Sequence, residues 1–452
     1  MGLLNLFHKS FDHGVHPPDY KEQTADQPIR RLPFPPQVMV PLAQHIGKPA
    51  VPLVRKGQEV VRGEPIARAD GFMSVPHHAP VTGVVTGIEL TPTVQGPKSE
   101  AIVIRAHPGA GQNILYGDFE DLASLSREML IERVQETGMV GLGGAAFPTH
   151  VKLSVPEGHA IDTLIANGCE CEPYLTSDHR IMVEKFDQLI RGVALGMQVV
   201  GAKQAIIGVE DNKADAYRVM RKQLPKNEPI RILPLRTKYP QGAEKMLIQS
   251  ATGREVPSGG FPYQIGILVQ NVSTLALLGE LMPVRHGLIE RVVTITGPGI
   301  RKPGNYLVAV GTPLSFVLQQ LGYSGGANHL ILGGPMMGMS VASLEVPVTK
   351  AVSGILVLTE EEEKEQEAPR IWPCIKCGHC LEACPLHLNP SQLGMLAAVR
   401  QYEAMEQDYH LNDCFECGSC SYVCPSGIPL VQYFRIAKAL NRDRRLKEAE
   451  SA

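Results

Sequence analysis

The stretch "WPCIKCGHCLEACP", Trp372 to Pro385, and its echo "DCFECGSCSYVCP", Asp413 to Pro425, decide how this chain is read. Each places four cysteines at gaps of two, two and three residues and closes on proline. Cys374, Cys377, Cys380 and Cys384 therefore map one for one onto Cys414, Cys417, Cys420 and Cys424. The repeat takes eight of the ten cysteines. The first residues lack the apolar core and small-residue cleavage site of a signal peptide, so the expected compartment is the reducing cytoplasm, where cysteines hold metal more often than disulfides.

An iron–sulfur cubane offers four irons, each taking one soft thiolate. Gaps of two residues let a tight loop carry three of them. The fourth cysteine, followed by proline, leaves that loop and in two-cluster ferredoxins ligates the neighbouring cluster. The expected sets are Cys374, Cys377 and Cys380 with Cys424, and Cys414, Cys417 and Cys420 with Cys384. Gly378 and Gly418 follow the second cysteine of each copy, where a loop hugging sulfur can use a residue without Cβ. Ile375 and Phe415 stand where apolar side chains would shield the clusters and tune their potential. Two zinc sites are the rival reading, but zinc knuckles pair two Cys-x-x-Cys units without a third cysteine and a trailing Cys-Pro. Between the copies, "SQLGMLAAVRQYEAMEQ" places Leu393, Leu396, Val399 and Tyr402 at three-residue steps, a helical signature, and "LVQYFRIAKALNRDRR" reads as another helix.

Clusters pass single electrons and need a terminus, and the chain is long enough to supply one. At 452 residues it exceeds one hydrophobic core, so three or four domains are expected. With 20% charged residues and a formal net charge of −3, no surface basic enough for nucleic acid is implied. No apolar run of about 18 residues occurs, so no membrane-spanning helix is expected. Upstream, residues 120 to 285 alternate. "SREMLIERVQETG" is an amphipathic helix, "TLIANG" a strand, "KFDQLIRGVALGMQVVGA" a helix, "AIIGVED" a strand, "ADAYRVMRKQL" a helix and "IRILPL" a strand. This alternation predicts an α/β sheet with crossovers, which binds ligands where its strands end.

Two turns of that region carry chemistry. "GLGGAAFPTHVK", Gly141 to Lys152, would let backbone N–H groups approach a phosphate, with Lys152 as cationic partner. A tight turn without a ligand is the bland alternative. "ANGCECEPY", Ala166 to Tyr174, follows the strand "TLI" and sets an amide and two alternating carboxylates where a ribityl or ribose hydroxyl and a nicotinamide could be oriented. Its bland alternative is a solvated loop. Cys169 and Cys171 lie outside the repeat and read as inert thiols packed near a cofactor.

The first of these turns resembles the glycine-rich FMN loop of the flavin-bearing subunit of respiratory complex I, and "NGCECEP" resembles the Asn-x-x-Glu-x-Glu-Pro segment that follows it there. "YPQGAEKMLIQSATGREVPSGGFP" and "QNVSTLA" continue the correspondence in order. Taken with both ends of the chain, the resemblance is to the C-subunit family of Rnf-type ion-translocating electron transport complexes. It implies that Gly141, Gly143, Gly144 and Lys152 hold the FMN phosphate region. Asn167 and Glu170 would contact the flavin or its ribityl chain, and Asn271 and Thr274 would close the site. Phe147 would stack on NAD(H), with Glu172 and Glu244 at the nicotinamide end. Leu142, Ala146, Cys169 and Ala243 depart from the complex I pattern, where arginine, glycine, aspartate and glutamate stand.

The smaller modules complete an α/β multidomain expectation: barrel-sandwich hybrid, Rossmann-like flavin domain, β-grasp module and a helical, ferredoxin-like domain with two [4Fe–4S] clusters. The division expected is 1–30, an N-terminal arm; 31–112, a barrel-sandwich hybrid; 113–288, the FMN/NAD-binding domain; 289–345, a β-grasp module of the soluble-ligand-binding type; 346–368, a charged linker; and 369–452, the cluster domain. The barrel-sandwich region resembles lipoyl carriers, but no lysine occurs between Lys56 and Lys98, and Gly71 stands where the carrier lysine would be. It therefore reads as a structural or docking module, not a carrier. His77 and His78 read as structural rather than metal-binding. Leu3, Leu4, Phe7 and Phe11 fall on one helical face that could meet a membrane surface or a partner, with a bare N-terminal arm as the favoured, bland reading.

The resemblance implies an NAD(H)-oxidoreducing subunit with FMN and two clusters. It would sit peripherally on the cytoplasmic face of a bacterial inner membrane and exchange electrons with a ferredoxin-like iron–sulfur subunit. Two rivals keep the fold: a cobalamin reductase of bacterial microcompartments, and an electron relay that binds no nucleotide.

Overall fold

The strand Thr163–Gly168, apolar until Asn167, is central to a parallel sheet ordered Ile230–Leu235, Gln204–Glu210, Thr163–Gly168, Ile267–Asn271. The computed structural model describes residues 9–94, 96–323, 325, 329–359 and 370–451. Runs such as "AIIGVE" are buried nearly throughout, the pattern of parallel strands covered by helices on both faces. Phe186–Val200 and Val272–Leu281 are two of those helices, and Leu164, Val193, Ile207 and Leu275 share the core beneath them. From Thr163–Gly168 the chain adds two strands on one side and returns to the other for Ile267–Asn271. The reversal leaves a crevice at the carboxyl ends of these two adjacent strands, where Asn167 and Asn271 are register partners.

A six-stranded mixed sheet follows, with Glu290–Thr296 between Gly304–Ala309 and Gly354–Leu358 and the helix Leu314–Leu321 packed on it. The sheet reaches beyond the expected module at both ends. Arg30–Arg31 pairs with Gly304–Ala309, and Gly354–Leu358, the strand at the head of the charged linker, pairs parallel to Glu290–Thr296. The linker boundary at 346 is corrected accordingly, because "GILVL" is buried through four of its five residues and needs a sheet neighbour for its backbone. Residues 360–369 of that linker lie outside the described residues.

The barrel-sandwich region folds as two small sheets, Gln37–Pro41 with Lys98–Ala106, Gly83–Pro92 and Glu59–Val60, and Val51–Pro52 with Pro65–Arg68 and His77–His78. Its tip docks on the parallel-sheet domain. Gly71 O accepts from Gln135 Nε2 at 3.1 Å, and Phe72 meets the His150 ring edge-on at 5.4 Å. His77 and His78 are buried against the Lys350 ammonium, and burial pushes His78 down to about 3. Among the described residues no three His, Cys, Asp or Glu side chains close on a single-ion site.

The arm is a strap rather than a free tail. Lys9 bridges Leu235, Val15 pairs with Tyr239, and Tyr20 stacks on Tyr174. Phe11, assigned to an exposed apolar face, is buried under Lys238 because the strap lays it across the sheet end; Leu3, Leu4 and Phe7 lie outside the described residues. In the C-terminal module the helical stretch after the first cysteine copy is broken. Pro390–Ala398 ends at Val399, Arg400 takes a left-handed φ of 58°, and Tyr402–Gln407 starts anew. The bend lets Leu396 and Met405 face the same core as Phe434 of the long helix Leu430–Ser451, while Val399 stays outside.

Candidate functional site: a nucleotide cradle wired to two cysteine sets

The glycine-rich loop lies over the crevice and is tied to it by side chains. Asn271 caps the helix Val272–Leu281, its Oδ1 accepting from Thr274 N–H at 3.2 Å. Thr274 Oγ1 then accepts from Leu142 N–H at 3.0 Å. Within the loop, Gly141 N–H reaches Phe147 O at 2.8 Å and Ala146 N–H reaches Gly141 O at 3.2 Å. Gly143, Gly144 and Ala145 are exposed, and among the described residues their N–H groups meet no protein acceptor. Gly144 has φ +107° with open space where a Cβ would stand, so the backbone alone lines the cradle. Successive free N–H groups ahead of a short helix form an anion-binding concavity. Lys152, on that helix, pairs with Glu244 at 2.5 Å, both about one-third exposed. An amide-lined concavity beside an accessible ammonium fits the phosphate of a flavin mononucleotide.

Asn167 points away from a purely solvated loop. Its Nδ2 donates to Gly242 O at 2.8 Å, and its Oδ1 accepts from Cys169 N–H at 3.0 Å. The two glutamates beyond it are engaged by protein groups. Glu170 is buried and accepts from Ser177 Oγ, Asp178 N–H and His179 N–H at 2.9–3.1 Å, holding the start of the helix Ser177–Glu184. Glu172 accepts from Met336 N–H at 3.1 Å and Met337 N–H at 2.8 Å, so its carboxylate grips the "GGPMMGM" loop of the mixed-sheet module. Burial raises Glu172 to about 7 despite those donors.

Three residues of this site were missed in the sequence. Asp178 lies behind Asn271 and accepts from its Nδ2 at 2.7 Å and from Ser273 Oγ; burial, then the neighbouring Glu170 charge, raises it to about 7. Arg291, fully buried, donates to Leu142 O at 3.2 Å from the mixed sheet. Lys21 of the strap donates to the carbonyls of Glu170, Glu172 and Leu175 at 2.5–3.0 Å, clamping the segment "ECEPYL". Only the fold brings these groups to the crevice.

The two cysteine sets sort by environment. Cys374, Cys377, Cys380 and Cys424 line one cavity of about 260 Å³ together with Trp372, Ile375 and Tyr433. This is the crossed grouping, with the last cysteine of the second copy among three of the first. Cys374 and Cys377 are exposed. Cys384, Cys414, Cys417 and Cys420 lie close enough for their charges to act on one another, Cys420 feeling Cys414, Cys417 and Cys384, and beyond them Cys380 of the first set. Burial pushes Cys414 up to about 11 and Cys420 further up. Each set offers four thiols, the donor chemistry of a cubane, and the first of them lines a cavity.

The buried set meets the flavin-side domain through a small junction. Tyr239 Oη donates to Cys417 O at 2.6 Å, and Tyr239, Val15 and Ala383 form a core against Cys171, Met336, Cys417 and Val423. Asp413, one residue ahead of Cys414, accepts from Gly259 N–H at 3.1 Å and from Ser258 Oγ. Cys171 accepts from Gly242 N–H at 3.3 Å, and burial raises both Cys169 and Cys171 well above the ordinary thiol range.

Family models match along the chain: an RnfC barrel-sandwich hybrid domain at 9–108, a Nuo51 FMN-binding domain at 134–280, an SLBB domain at 292–340 and a 4Fe-4S dicluster domain at 373–428. A chain of the NAD+-reducing [NiFe]-hydrogenase in its H2-reduced state shares the fold over 73% of this chain and 68% of its own, at a TM-score of 0.52 and 18% identity. The class is thus that of oxidoreductase chains in which an FMN-binding domain is joined to a 4Fe-4S dicluster module. The C subunit of the proton-translocating ferredoxin:NAD(+) oxidoreductase complex of Clostridium ljungdahlii is 42% identical over 96% of this chain and 94% of its own. Its counterpart in the Na(+)-translocating complex of Acetobacterium woodii is 40% identical over 90% and 91%. Against the C subunit of the ion-translocating oxidoreductase complex of Cronobacter sakazakii, at 40% identity, this chain spans 56% of the relative's length. The chain belongs to the C-subunit family of ion-translocating, Rnf-type oxidoreductase complexes. It is an oxidoreductase subunit, and these relatives favour that reading over the cobalamin reductase and the bare relay.

Proposed function

We propose that this chain oxidises or reduces NAD(H) at the switch-point cradle and passes electrons through the buried and then the exposed cysteine set to a ferredoxin-like iron–sulfur subunit. The carrying observation is the unequal placement of the two sets, one packed on the flavin-side domain and the other open to the surface. When bound, FMN and two [4Fe–4S] clusters supply the exchange between a two-electron hydride and single electrons. Gly141, Gly143, Gly144 and Lys152 hold the phosphate end, and Lys152 exchanges part of its pairing with Glu244 for that phosphate. Asn167, Asn271 and Thr274 set the floor of the crevice, and Phe147 offers a ring at the mouth of the loop. Glu170 acts from behind, holding the segment that carries Asn167. Glu172 shapes the nicotinamide end by fixing the Met336–Met337 loop against it.

The finer division is a Rossmann-like flavin domain at 113–288 and a β-grasp module from 289 that takes in the strand Gly354–Leu358. Among the described residues no helix is long and apolar enough to cross a membrane. Attachment to the cytoplasmic face of the inner membrane then rests on partner subunits. Anaerobic reconstitution with FMN, iron and sulfide tests the reading. About eight irons per chain, bound flavin and bleaching of that flavin by NADH are expected. Zinc in place of iron, or a chain that retains no flavin, would overturn it.

A further inference from the structure

One short turn touches both halves of the proposed electron path. Tyr239 begins it and Gly242 nearly ends it, with Ala243 N–H closing on Pro240 O at 3.0 Å. At the Gly242 end, its carbonyl accepts from Asn167 Nδ2 at 2.8 Å, on the floor of the crevice. One residue past the turn's close, Glu244 pairs with Lys152 on the helix behind the glycine-rich loop. At the other end, the Tyr239 hydroxyl donates to the carbonyl of Cys417, a ligand of the buried set. The ring is 1% exposed and packs beside Cys171 and Met336, so protein side chains fill the space between the two sides there. The strap holds Tyr239 from behind through paired backbone bonds to Val15 at 2.8 and 2.9 Å.

We infer that the turn Tyr239–Gly242 is the positioning element that couples the nucleotide cradle to the buried cluster site, with Tyr239 its decisive residue. This rests on the function proposed above. A rigid path that is hydrogen-bonded at both ends keeps donor and acceptor at one spacing, whereas two domains meeting only through loose apolar contact would let that spacing drift. A single electron crosses at a time, from reduced flavin to oxidised cluster, and no bond of the turn is made or broken. Tyr239 acts by placement and by donating to the Cys417 carbonyl. A hydrogen bond at a ligand residue also favours extra negative charge on the cluster it holds.

Another contact across the same domain boundary provides the control. Ser258 and Gly259 bind Asp413 and, among the described residues, hydrogen-bond to neither the turn nor the cradle, though Asp413 also pairs with Lys245 at 3.6 Å. A role in mere docking would make Ser258 and Tyr239 equivalent.

The experiment uses the full chain, reconstituted with FMN and clusters, as wild type, Tyr239→Phe and Ser258→Ala. Stopped-flow absorbance separates bleaching of flavin by NADH from the later reduction of the clusters, and redox-poised electron paramagnetic resonance gives the midpoint of each cluster. Tyr239→Phe should keep iron, flavin and the bleaching rate, slow cluster reduction severalfold, and lower the midpoint of the buried cluster alone. Ser258→Ala should match wild type in all four. Equal cluster reduction in Tyr239→Phe, equal slowing in Ser258→Ala, or loss of iron from Tyr239→Phe would each overturn the inference. A wild type that is not bleached by NADH would instead overturn the proposed function.

Discussion

The two cysteine copies are near-duplicates in chain geometry and opposites in setting. Lys376 and Glu416 take left-handed φ values of 59° and 62°, Gly378 and Gly418 follow at 84° and 86°, and short helices start from both glycines. Yet the first copy opens on solvent through Cys374 and Cys377, while the second lies against Tyr239 and Met336. Gly418 shows the difference at one atom. A Cβ there would meet Met336 O at 3.0 Å, whereas one at Gly378 would meet nothing within 4 Å. Both glycines are needed for φ, but only Gly418 is needed for contact. A spacing motif thus builds two equal binding loops, and neighbours assign one to the inner and one to the outer end of a wire.

The strongest way to break that comparison is Cys384→Ser. Cys384 belongs to the first copy in sequence but to the buried group in space. The variant should lose about four of eight irons and keep the exposed cluster. Loss of the exposed cluster instead, read by paramagnetic resonance, would show that each copy binds its own. Next in size is Lys152→Ala, which should leave both clusters intact and weaken FMN binding by about 1.5–3 kcal/mol, roughly ten- to a hundredfold, the worth of a hydrogen bond to a charged group. Isothermal titration of the deflavinated chain measures it.

A smaller effect separates the Glu172 latch from the rest. Its carboxyl is raised from 4.5 to about 7 in the fold, chiefly by burial. Between those values the folded state binds more protons than the unfolded one, so stability falls as pH rises from about 4.5 to about 7 and is flat above. Glu172→Gln should remove that slope, a difference of at most roughly 3.5 kcal/mol. Melting temperatures of both proteins across pH 5 to 8 check it, and parallel curves would refute the latch. Least affected should be Trp372→Ala. Trp372 is half-exposed at the outer cavity. In the isolated chain, stability should change by no more than about 0.5 kcal/mol and flavin bleaching should be unchanged, while electron delivery to the iron–sulfur partner falls.

Much of the fold was legible because local pattern and final environment agree. The strand "TLIANG" and the alternating helices and strands between residues 120 and 285 read correctly from local pattern. The stretch after the first copy misled because Val399 continues a three-residue rhythm that Arg400 interrupts, and a left-handed arginine leaves no mark in an apolar pattern. Of the residues gathered at the candidate site, Gly143, Gly144, Lys152 and Asn167 were singled out by residue type and spacing. Asp178, Arg291 and Lys21 were not, since each acts on a segment more than twenty residues away in sequence or hides beside residues of plainer meaning.

By itself the chain of residues determined which atoms can bind: eight thiols in two loops, a run of free amide N–H groups and a lysine behind them. Those are short-range facts, set by side-chain chemistry and by the φ that glycine allows. Tertiary structure alone decided which set is buried, and that a tyrosine in the turn after a third strand reaches the ligand loop. Such outcomes depend on what packs against what, and packing partners lie far apart along the chain.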